Sequence, residues 1–228
     1  MAKKRSRRYQ KAAAKVDRQK RYPLVEGLAL IKSLTGPKFD EAIDIAVRIG
    51  IDAKKTDQLV RGSVSLPKGT GKSVKIAVFA DGEKAKEALE AGADYVGAAD
   101  LADKIEKGFT DFDMTIASPD MMRFVGKLGK VLGPQGKMPS PKAGTVTPNV
   151  AAAVREFKAG KIEFRTDAGA NVHAAIGRKS FGADDLAANV KAFVDHLRTL
   201  RPSQAKGEFI RKVVVSTSMG PGVQVAME

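Results

Sequence analysis

Hydrophobic and polar residues alternate in two stretches of the first third of the chain. Isoleucine and valine occupy every second position of residues 43–51, and residues 60–66 repeat the alternation. A period of two predicts β-strands with one buried and one exposed face. Before them, residues 23–34 begin with proline and place leucine and isoleucine at helical spacing, which predicts a helix.

From residue 68 the pattern changes to short apolar runs, each followed by a segment with helical periodicity. Such strand–helix alternation predicts a parallel sheet with helices on both faces. The predicted strands are 74–80, 95–96 and 114–117, and the predicted helices are 83–91, 101–107, one opening at Ser118 and running toward Leu128, and one opening at Thr147 and Pro148 and running to Lys158.

After residue 161 the pattern returns to longer alternating strands, at 162–166, 174–176 and 209–217, with a long apolar stripe at helical spacing over 186–200. We therefore predict an α/β protein of two domains. An outer α+β domain is made from both chain ends, residues 23–67 and 161–228. An inserted Rossmann-like α/β domain with a parallel sheet spans residues 68–160. Residues 1–22 form a basic tail.

Charge is distributed unevenly along the 228 residues. The net charge is +14, and residues 1–22 supply +9 of it, with ten Lys or Arg against Asp17 alone. A basic tail suits nucleic acid or an anionic membrane surface, although a solvated arm is the simpler interpretation. The remaining chain carries only +5, so any RNA binding there would depend on shape and placed polar groups.

Several classes of protein are disfavoured by composition. The chain has no cysteine, which excludes a disulfide, a thiolate metal site and a thiol nucleophile. His173 and His196 are far apart and have no ligand cluster around them. No apolar run approaches the roughly 18 residues of a membrane span, and no signal peptide is evident. We expect a cytoplasmic protein without a membrane partner, a metal or a cofactor.

Two sequence features resemble catalytic or nucleotide-binding motifs but lack their context. The run at residues 69–73 lacks the earlier glycine of a phosphate-binding loop, because that position is Leu66, and a strand follows where a helix should. The first strand–helix turn of the inserted domain, residues 81–83, lacks the dinucleotide fingerprint. The paired aspartates at 100 and 103 and at 184 and 185 suit helix starts. We predict no enzyme activity.

Two blocks have the composition of an RNA contact. Lys38 and Phe39, with Glu41, stand at the entrance to a strand, and residues 217–221 (Thr-Ser-Met-Gly-Pro) stand at the exit of another. A phenylalanine can stack on a base or sugar beside a lysine that meets phosphate, and hydroxyls can bond to 2′-OH groups. A core phenylalanine and an ordinary turn remain alternatives.

A third block, residues 133–146, contains three prolines, three glycines and no acidic residue. The prolines fix the backbone, so the segment is predicted to be a stiff, shaped loop. Lys137 and Lys142 make it basic and suit a phosphate backbone. A structural connection between two helices is equally compatible with this composition.

Six blocks together resemble the L-one family of large-subunit ribosomal proteins, which form the ribosomal stalk. They occur in the family's order and cover nearly the whole chain. The blocks are residues 38–41, 57–62, 91–97, 133–146, 162–165 and 218–221.

The resemblance implies a structural component of the large ribosomal subunit. Its partners would be large-subunit rRNA in the mobile stalk near the tRNA exit site, exit-site tRNA whose release it assists, and its own mRNA, whose translation it represses. DNA is not among them. The outer domain would hold the RNA, and the inserted domain would project outward. The implied rRNA-binding residues are Lys38, Phe39, Glu41, Glu163, Arg165, Asp167, Thr217, Ser218, Met219, Gly220 and Pro221, with Lys137 and Lys142 as secondary RNA or tRNA contacts.

In two positions the chain departs from the common pattern of the family. Ser218 stands where threonine is frequent, which keeps the hydroxyl and loses a methyl group. Ala42 also replaces a common threonine and is left out of the predicted site. Two other functions stay open at this point: a small α/β enzyme acting on a phosphorylated metabolite, and a basic-tailed protein of the membrane surface.

Overall fold

The computed structural model of the chain describes residues 5–227. By their contacts these residues fall into two compact units. The discontinuous unit contains the described residues up to Gly71 and those from Ile162 onward. The continuous unit is Lys72–Lys161. The fold is mixed α/β, as predicted.

A five-stranded sheet and two long helices form most of the discontinuous unit. The strand order is β1-β10-β9-β2-β8; β1 runs parallel to β10, and the other neighbours are antiparallel. The elements are α1 (Arg7–Ala13), β1 (Tyr22–Pro23), α2 (Leu24–Ser33), β2 (Ala42–Ile49), β8 (Asn171–Arg178), α8 (Ala183–Thr199), β9 (Ile210–Thr217) and β10 (Val223–Ala226).

The alternation in β2 places Ile43, Ile45 and Val47 in the core, where they are fully buried against apolar side chains of α2 and α8. Val215 in the neighbouring strand has the same orientation. The opposite face of the sheet, which we call the open face, carries mainly small and polar residues, with the half-buried Val214 opposite Ala46. Its described members include Asp44, Ala46, His173, Ala175 and Ser216.

A two-stranded ribbon, β3 (Arg61–Ser65) with β7 (Lys161–Arg165), completes the strands of this unit. The chain leaves β3 through a segment tied to α8. The buried Asn189 side chain accepts a hydrogen bond from the Lys68 N–H (3.0 Å) and donates to the carbonyls of Gly69 (2.9 Å) and Ile176 (2.8 Å). The start of the crossing at residue 68 is therefore fixed by a fully satisfied buried amide.

The continuous unit has the predicted parallel sheet, in the order β5-β4-β6. Helices α4 to α6 cover the face that carries Phe79, and α3 and α7 cover the face that carries Val78. The elements are β4 (Ile76–Phe79), α3 (Glu83–Glu90), β5 (Tyr95–Gly97), α4 (Ala99–Glu106), β6 (Met114–Ala117), α5 (Met122–Lys127), α6 (Gly129–Leu132) and α7 (Val150–Lys158).

Two helix starts in this unit differ from the sequence expectation. Ser118 makes no side-chain cap; a 3₁₀ turn, Pro119–Met121, follows it, and the α-helix begins only at Met122. The later helix begins at Val150 rather than at Thr147, because Asn149 is its N-cap and accepts a hydrogen bond from the Ala152 N–H at 3.1 Å. In both places a competing local turn displaces the helix start.

The basic tail also differs from the simplest expectation. Residues 1–4 lie outside the described residues, but the following segment forms α1, and Ala12 and Val16 are buried in the core of the discontinuous unit. Tyr22 then pairs with Val225. A wholly solvated arm is therefore the wrong interpretation for residues 5–22, because two apolar positions between the cations anchor the segment.

Candidate nucleic-acid interface

The two predicted contact blocks meet where β2 begins and β9 ends. Ile43 pairs with Thr217, and the Ser218 N–H donates to the Ala42 carbonyl at 3.1 Å. The chain then turns sharply, with the Gly220 N–H donating to the Thr217 carbonyl. We call Lys38, Phe39, Glu41 and residues 217–221 the strand-end cluster.

Glu41 organises this cluster from below. Its side chain is only 2% exposed. One carboxylate oxygen accepts the Met219 N–H at 3.0 Å, and the other lies 3.9 Å from Lys179 Nζ, which also donates to the Leu34 carbonyl at 2.6 Å. A buried carboxylate is stable only when paired and hydrogen-bonded in this way. Glu41 therefore holds Met219 in place and presents no carboxylate to a ligand.

The cluster exposes two large apolar residues: Phe39 is 55% exposed to solvent and Met219 is 53% exposed. Isolated exposed apolar residues are common, but here both are attached to a fixed backbone. Met219 is fixed by Glu41. Phe39 precedes Asp40, whose carboxylate accepts hydrogen bonds from the Ser180 N–H (3.1 Å) and hydroxyl (2.8 Å). An exposed ring and a thioether on a rigid support suit stacking against bases.

Polar groups and close packing complete the cluster. The exposed Ser218 hydroxyl makes only a long hydrogen bond, 3.4 Å, to the Ala42 carbonyl, so its lone pairs face solvent. Lys38 is also exposed. Thr217 is buried, and a Cβ at Gly220 would overlap the Thr217 hydroxyl oxygen. A side chain at position 220 would therefore displace the Thr217 hydroxyl.

Asp40, Arg178, Lys179 and Ser180 hold the cluster together, and sequence reasoning did not select them. Arg178 pairs with Ala42 in the sheet and donates to the Asp40 carbonyl at 3.0 Å. The sequence signal for three of them is the basic and hydroxyl-bearing run at residues 178–180, directly after a predicted strand. Its relevance depends on the register between β2 and β8, which local patterns do not determine.

Asp167 lies away from the strand-end cluster, contrary to the expectation that Glu163, Arg165 and Asp167 flank the same region. They belong to β7 and the turn into β8, near Asn171, which pairs with Arg48. Ala42 and Arg48 are six residues apart on β2, a separation of about 20 Å. Glu163 also forms an ion pair with Arg61 (2.9 Å), whereas Arg165 is exposed. Asp167 thus lies at the opposite end of β2 from the strand-end cluster.

Asp167 shapes the turn between β7 and β8. Its carboxylate accepts hydrogen bonds from the N–H groups of Asn171 (2.7 Å) and Gly169 (2.8 Å), and His173 Nε2 lies at 3.4 Å. These hydrogen bonds, that from Asn171 foremost, lower the pKa of Asp167 below its ordinary value. Asp167 is therefore committed to the turn as a carboxylate.

The open face of the sheet lies between the strand-end cluster and Asp167. At its centre burial raises the pKa of Asp44, and the positive charge that His173 can carry partly opposes the increase. The neighbouring Ala46 and Ala175 are small. A strip with small side chains of this kind admits close approach of a ligand by shape rather than by bulk charge.

The proline-rich loop of the continuous unit is internally bonded. The Thr145 hydroxyl contacts both the N–H and the carbonyl of Ser140, and Gly136 and Gly144 have positive φ. Lys137 belongs to this framework: its Nζ donates to the Thr110 carbonyl at 3.0 Å, and its carbonyl accepts from the Thr115 hydroxyl. Only Lys142, of the two predicted contacts, is fully exposed.

Residues 5–227 offer little support for a metal site or a membrane-spanning helix. No group of three or more histidine or acidic side chains there could hold a metal ion. None of the described helices is both long and apolar enough to cross a membrane. Asp100 lies in the first turn of α4, as predicted for a helix start, and the Ala98 N–H lowers the pKa of its carboxyl.

The chain belongs to the ribosomal protein L1p/L10e family, whose model matches residues 30–221. It is 56% identical over 220 residues to the large ribosomal subunit protein uL1 of Burkholderia mallei, of Burkholderia pseudomallei and of Burkholderia thailandensis. Each match covers 96% of this chain and 95% of the relative. The resemblance drawn from six sequence blocks is thereby confirmed. The family is structural and non-enzymatic, in agreement with the prediction.

Proposed function

We propose that the chain is a component of the large ribosomal subunit and binds large-subunit rRNA through the strand-end cluster. The observation that carries this proposal is the pair of exposed apolar side chains, Phe39 and Met219, on a backbone held by the buried Glu41. Family membership and the names of the relatives support the ribosomal assignment. The cytoplasm is the compartment in which such a protein would act.

Each exposed group of the strand-end cluster has a matching partner on RNA. Phe39 offers a ring to a base, and Lys38 beside it offers a charge to a phosphate. The Ser218 hydroxyl can donate to or accept from a 2′-OH group, which DNA lacks, so the proposed partner is RNA and not DNA. The RNA would follow the open face toward Glu163, Arg165 and Asp167. There Arg165 is exposed, Glu163 forms an ion pair within the ribbon, and Asp167 holds the turn.

In this proposal the discontinuous unit holds the rRNA, and the continuous unit makes a secondary contact. One observation favours tRNA as the secondary partner. No acidic residue occurs between Met121 and Arg155. Arg123, Lys127 and Lys130 are exposed there, with Arg123 and Lys127 four residues apart on α5, and Lys142 is exposed nearby in the chain. Such a surface suits a phosphate backbone and would assist release of deacylated tRNA in a mobile stalk.

Repression of its own mRNA would use the same surface as rRNA binding. An mRNA segment that folds like the rRNA site would compete for Phe39, Ser218 and Met219. Translation of the message would then fall only when the protein exceeds the available rRNA, because the two RNAs exclude each other. A competition titration of the two RNAs on the full chain measures this directly.

The proposed function can be tested with transcripts that tile the large-subunit rRNA of Burkholderia thailandensis, with a shuffled transcript of equal length as control. We expect one folded segment to bind much more tightly than the shuffled RNA. Phe39→Ala should weaken that binding by about 1–3 kcal/mol, the typical contribution of one stacked base. Val25→Ala, which alters an equally exposed side chain of the same unit, should leave it unchanged. Equal affinity for all transcripts would refute rRNA recognition.

A further inference from the structure

A second charged feature of the discontinuous unit lies outside the predicted site. A cleft forms where β9 begins and β10 ends, and Arg21 borders it from the segment before β1. Its lining includes Arg198, Arg211 and Lys212, with Glu208 as the one carboxylate among the described lining residues. We call it the basic cleft. A concave site with this excess of cations attracts anions.

The cations of the basic cleft are largely uncompensated. Arg198 is paired with Asp195 at 3.1 Å. Within residues 5–227, Arg21, Arg211 and Lys212 form no ion pair, and all three are exposed. Guanidinium groups present several donors in one plane, which matches the oxygens of a phosphate group.

Lys212 also stands directly opposite Arg48 across the β2–β9 pair. Like charges in directly opposed positions of a sheet destabilise it. The fold therefore keeps an unfavourable pair of cations, of which Lys212 lines the basic cleft. An anion bound between them would relieve the repulsion.

We propose that the basic cleft binds backbone phosphates of the same RNA that binds the strand-end cluster, an inference that rests on the proposed function. Lys212 and Thr217 lie on one strand, five residues or about 17 Å apart. Lys212, Ala46 and Ser216 line the same open face between the two sites. One RNA segment lying along that face reaches both, with bases at the strand-end cluster and phosphates at the cleft.

The test compares the full chain with the double variant Arg211→Gln/Lys212→Gln. Lys54→Gln/Lys191→Gln is the matched control, since it removes two exposed cations outside the cleft. We expect the slope of log affinity against log salt to become shallower by about 0.7–0.9 for each phosphate that the variant no longer neutralises. The control should keep the wild-type slope.

Hydroxyl-radical footprinting of the bound transcript then locates the site on the RNA. The cleft variant should lose protection over one backbone segment that remains protected in Ser218→Val, and Ser218→Val should lose protection elsewhere. Wild-type slope and protections in the cleft variant would overturn the cleft proposal and leave rRNA binding intact. Failure of the wild type to prefer any rRNA transcript would overturn both. Loss of polyglutamate binding, but not of RNA binding, in the cleft variant would overturn the cleft proposal and assign the cleft to an acidic protein instead.

Discussion

The exposed hydroxyl of Ser218 is the polar group of the strand-end cluster most available to an RNA ribose, because its internal hydrogen bond is long. Ser218→Val should weaken binding of the preferred rRNA transcript by about 1–3 kcal/mol, since the partner group would be left unpaired. Ser218→Thr, which restores the hydroxyl and adds a methyl group, is the control and should bind like the wild type. Filter-binding titrations measure both, and equal affinities for the valine and threonine variants would exclude this hydrogen bond.

Glu41 positions the strand-end cluster through its contacts with the Met219 N–H and Lys179. Glu41→Ala should lower the free energy of unfolding by about 1–3 kcal/mol, because it leaves the Met219 N–H without its acceptor and Lys179 without its carboxylate. Glu41→Gln keeps an acceptor oxygen and should lose less stability. Urea unfolding gives the stabilities, and RNA titration of the folded variants should show a larger loss for alanine than for glutamine. Equal RNA affinity in both variants would contradict the positioning role.

Asp167 gives the molecule a pH-dependent contribution to stability. Its pKa is lower in the folded chain than the ordinary value of 3.8, so the carboxylate stabilises the fold above that value. The contribution is lost as the pH falls through the lower folded pKa. Asp167→Asn should therefore be less stable than the wild type at pH 6, and the difference should shrink below pH 3.8. Urea unfolding at several pH values measures this, and a constant difference would contradict it.

At the scale of residues, sequence reasoning found the exposed groups better than their supports. Phe39, Ser218 and Met219 were selected and are exposed in one cluster. Glu41 is buried beneath them, and that burial depends on the long-range pairing of β2 with β9. Lys137 is predicted as a contact and also bonds within its own unit. A side chain's charge is visible in the sequence, whereas its partner is not.

At the scale of elements, hydrophobic periodicity identified the longer strands and helices, because β2 and α8 each bury one regular face. Several short elements were missed, α6 among them. The segments α1, β1 and β10 have few residues each, and their positions are set by tertiary contacts such as the pairing of Tyr22 with Val225. Local propensity carries too little information for segments of this length.

The ordered start of the chain changes how its charge should be tested. Deleting the tail would remove Ala12 and Val16 from the core, so stability and electrostatics would change together. Replacing Lys11, Lys15 and Arg18 by glutamine removes exposed charge alone. We expect a shallower salt dependence of RNA binding, with the preference for the rRNA transcript over the shuffled control retained. Loss of that preference would show that this segment makes the contacts that distinguish the rRNA transcript from the shuffled control.

At the scale of the whole molecule, the division of labour between the units can be tested by excision. Replacing residues 72–161 with a short glycine–serine linker should leave rRNA binding within about 1 kcal/mol of the wild type, because the strand-end cluster lies entirely in the discontinuous unit. Cooperative thermal unfolding of the shortened chain is the control for folding. A folded but non-binding product would show that the continuous unit takes part in rRNA recognition.

The interleaving of early and late residues in the five-stranded sheet has a consequence for biosynthesis. The central strand β2 is made early, but its neighbours β8 and β9 come from the last third of the chain. Residues 72–161 can complete their own sheet as soon as they emerge, whereas β2 must wait for residues 210–217. A polypeptide released prematurely, before those residues, would lack both the neighbour of β2 and the turn at Met219. If the strand-end cluster binds RNA as proposed, a chain released before those residues could not occupy the RNA site and would be unable to block assembly.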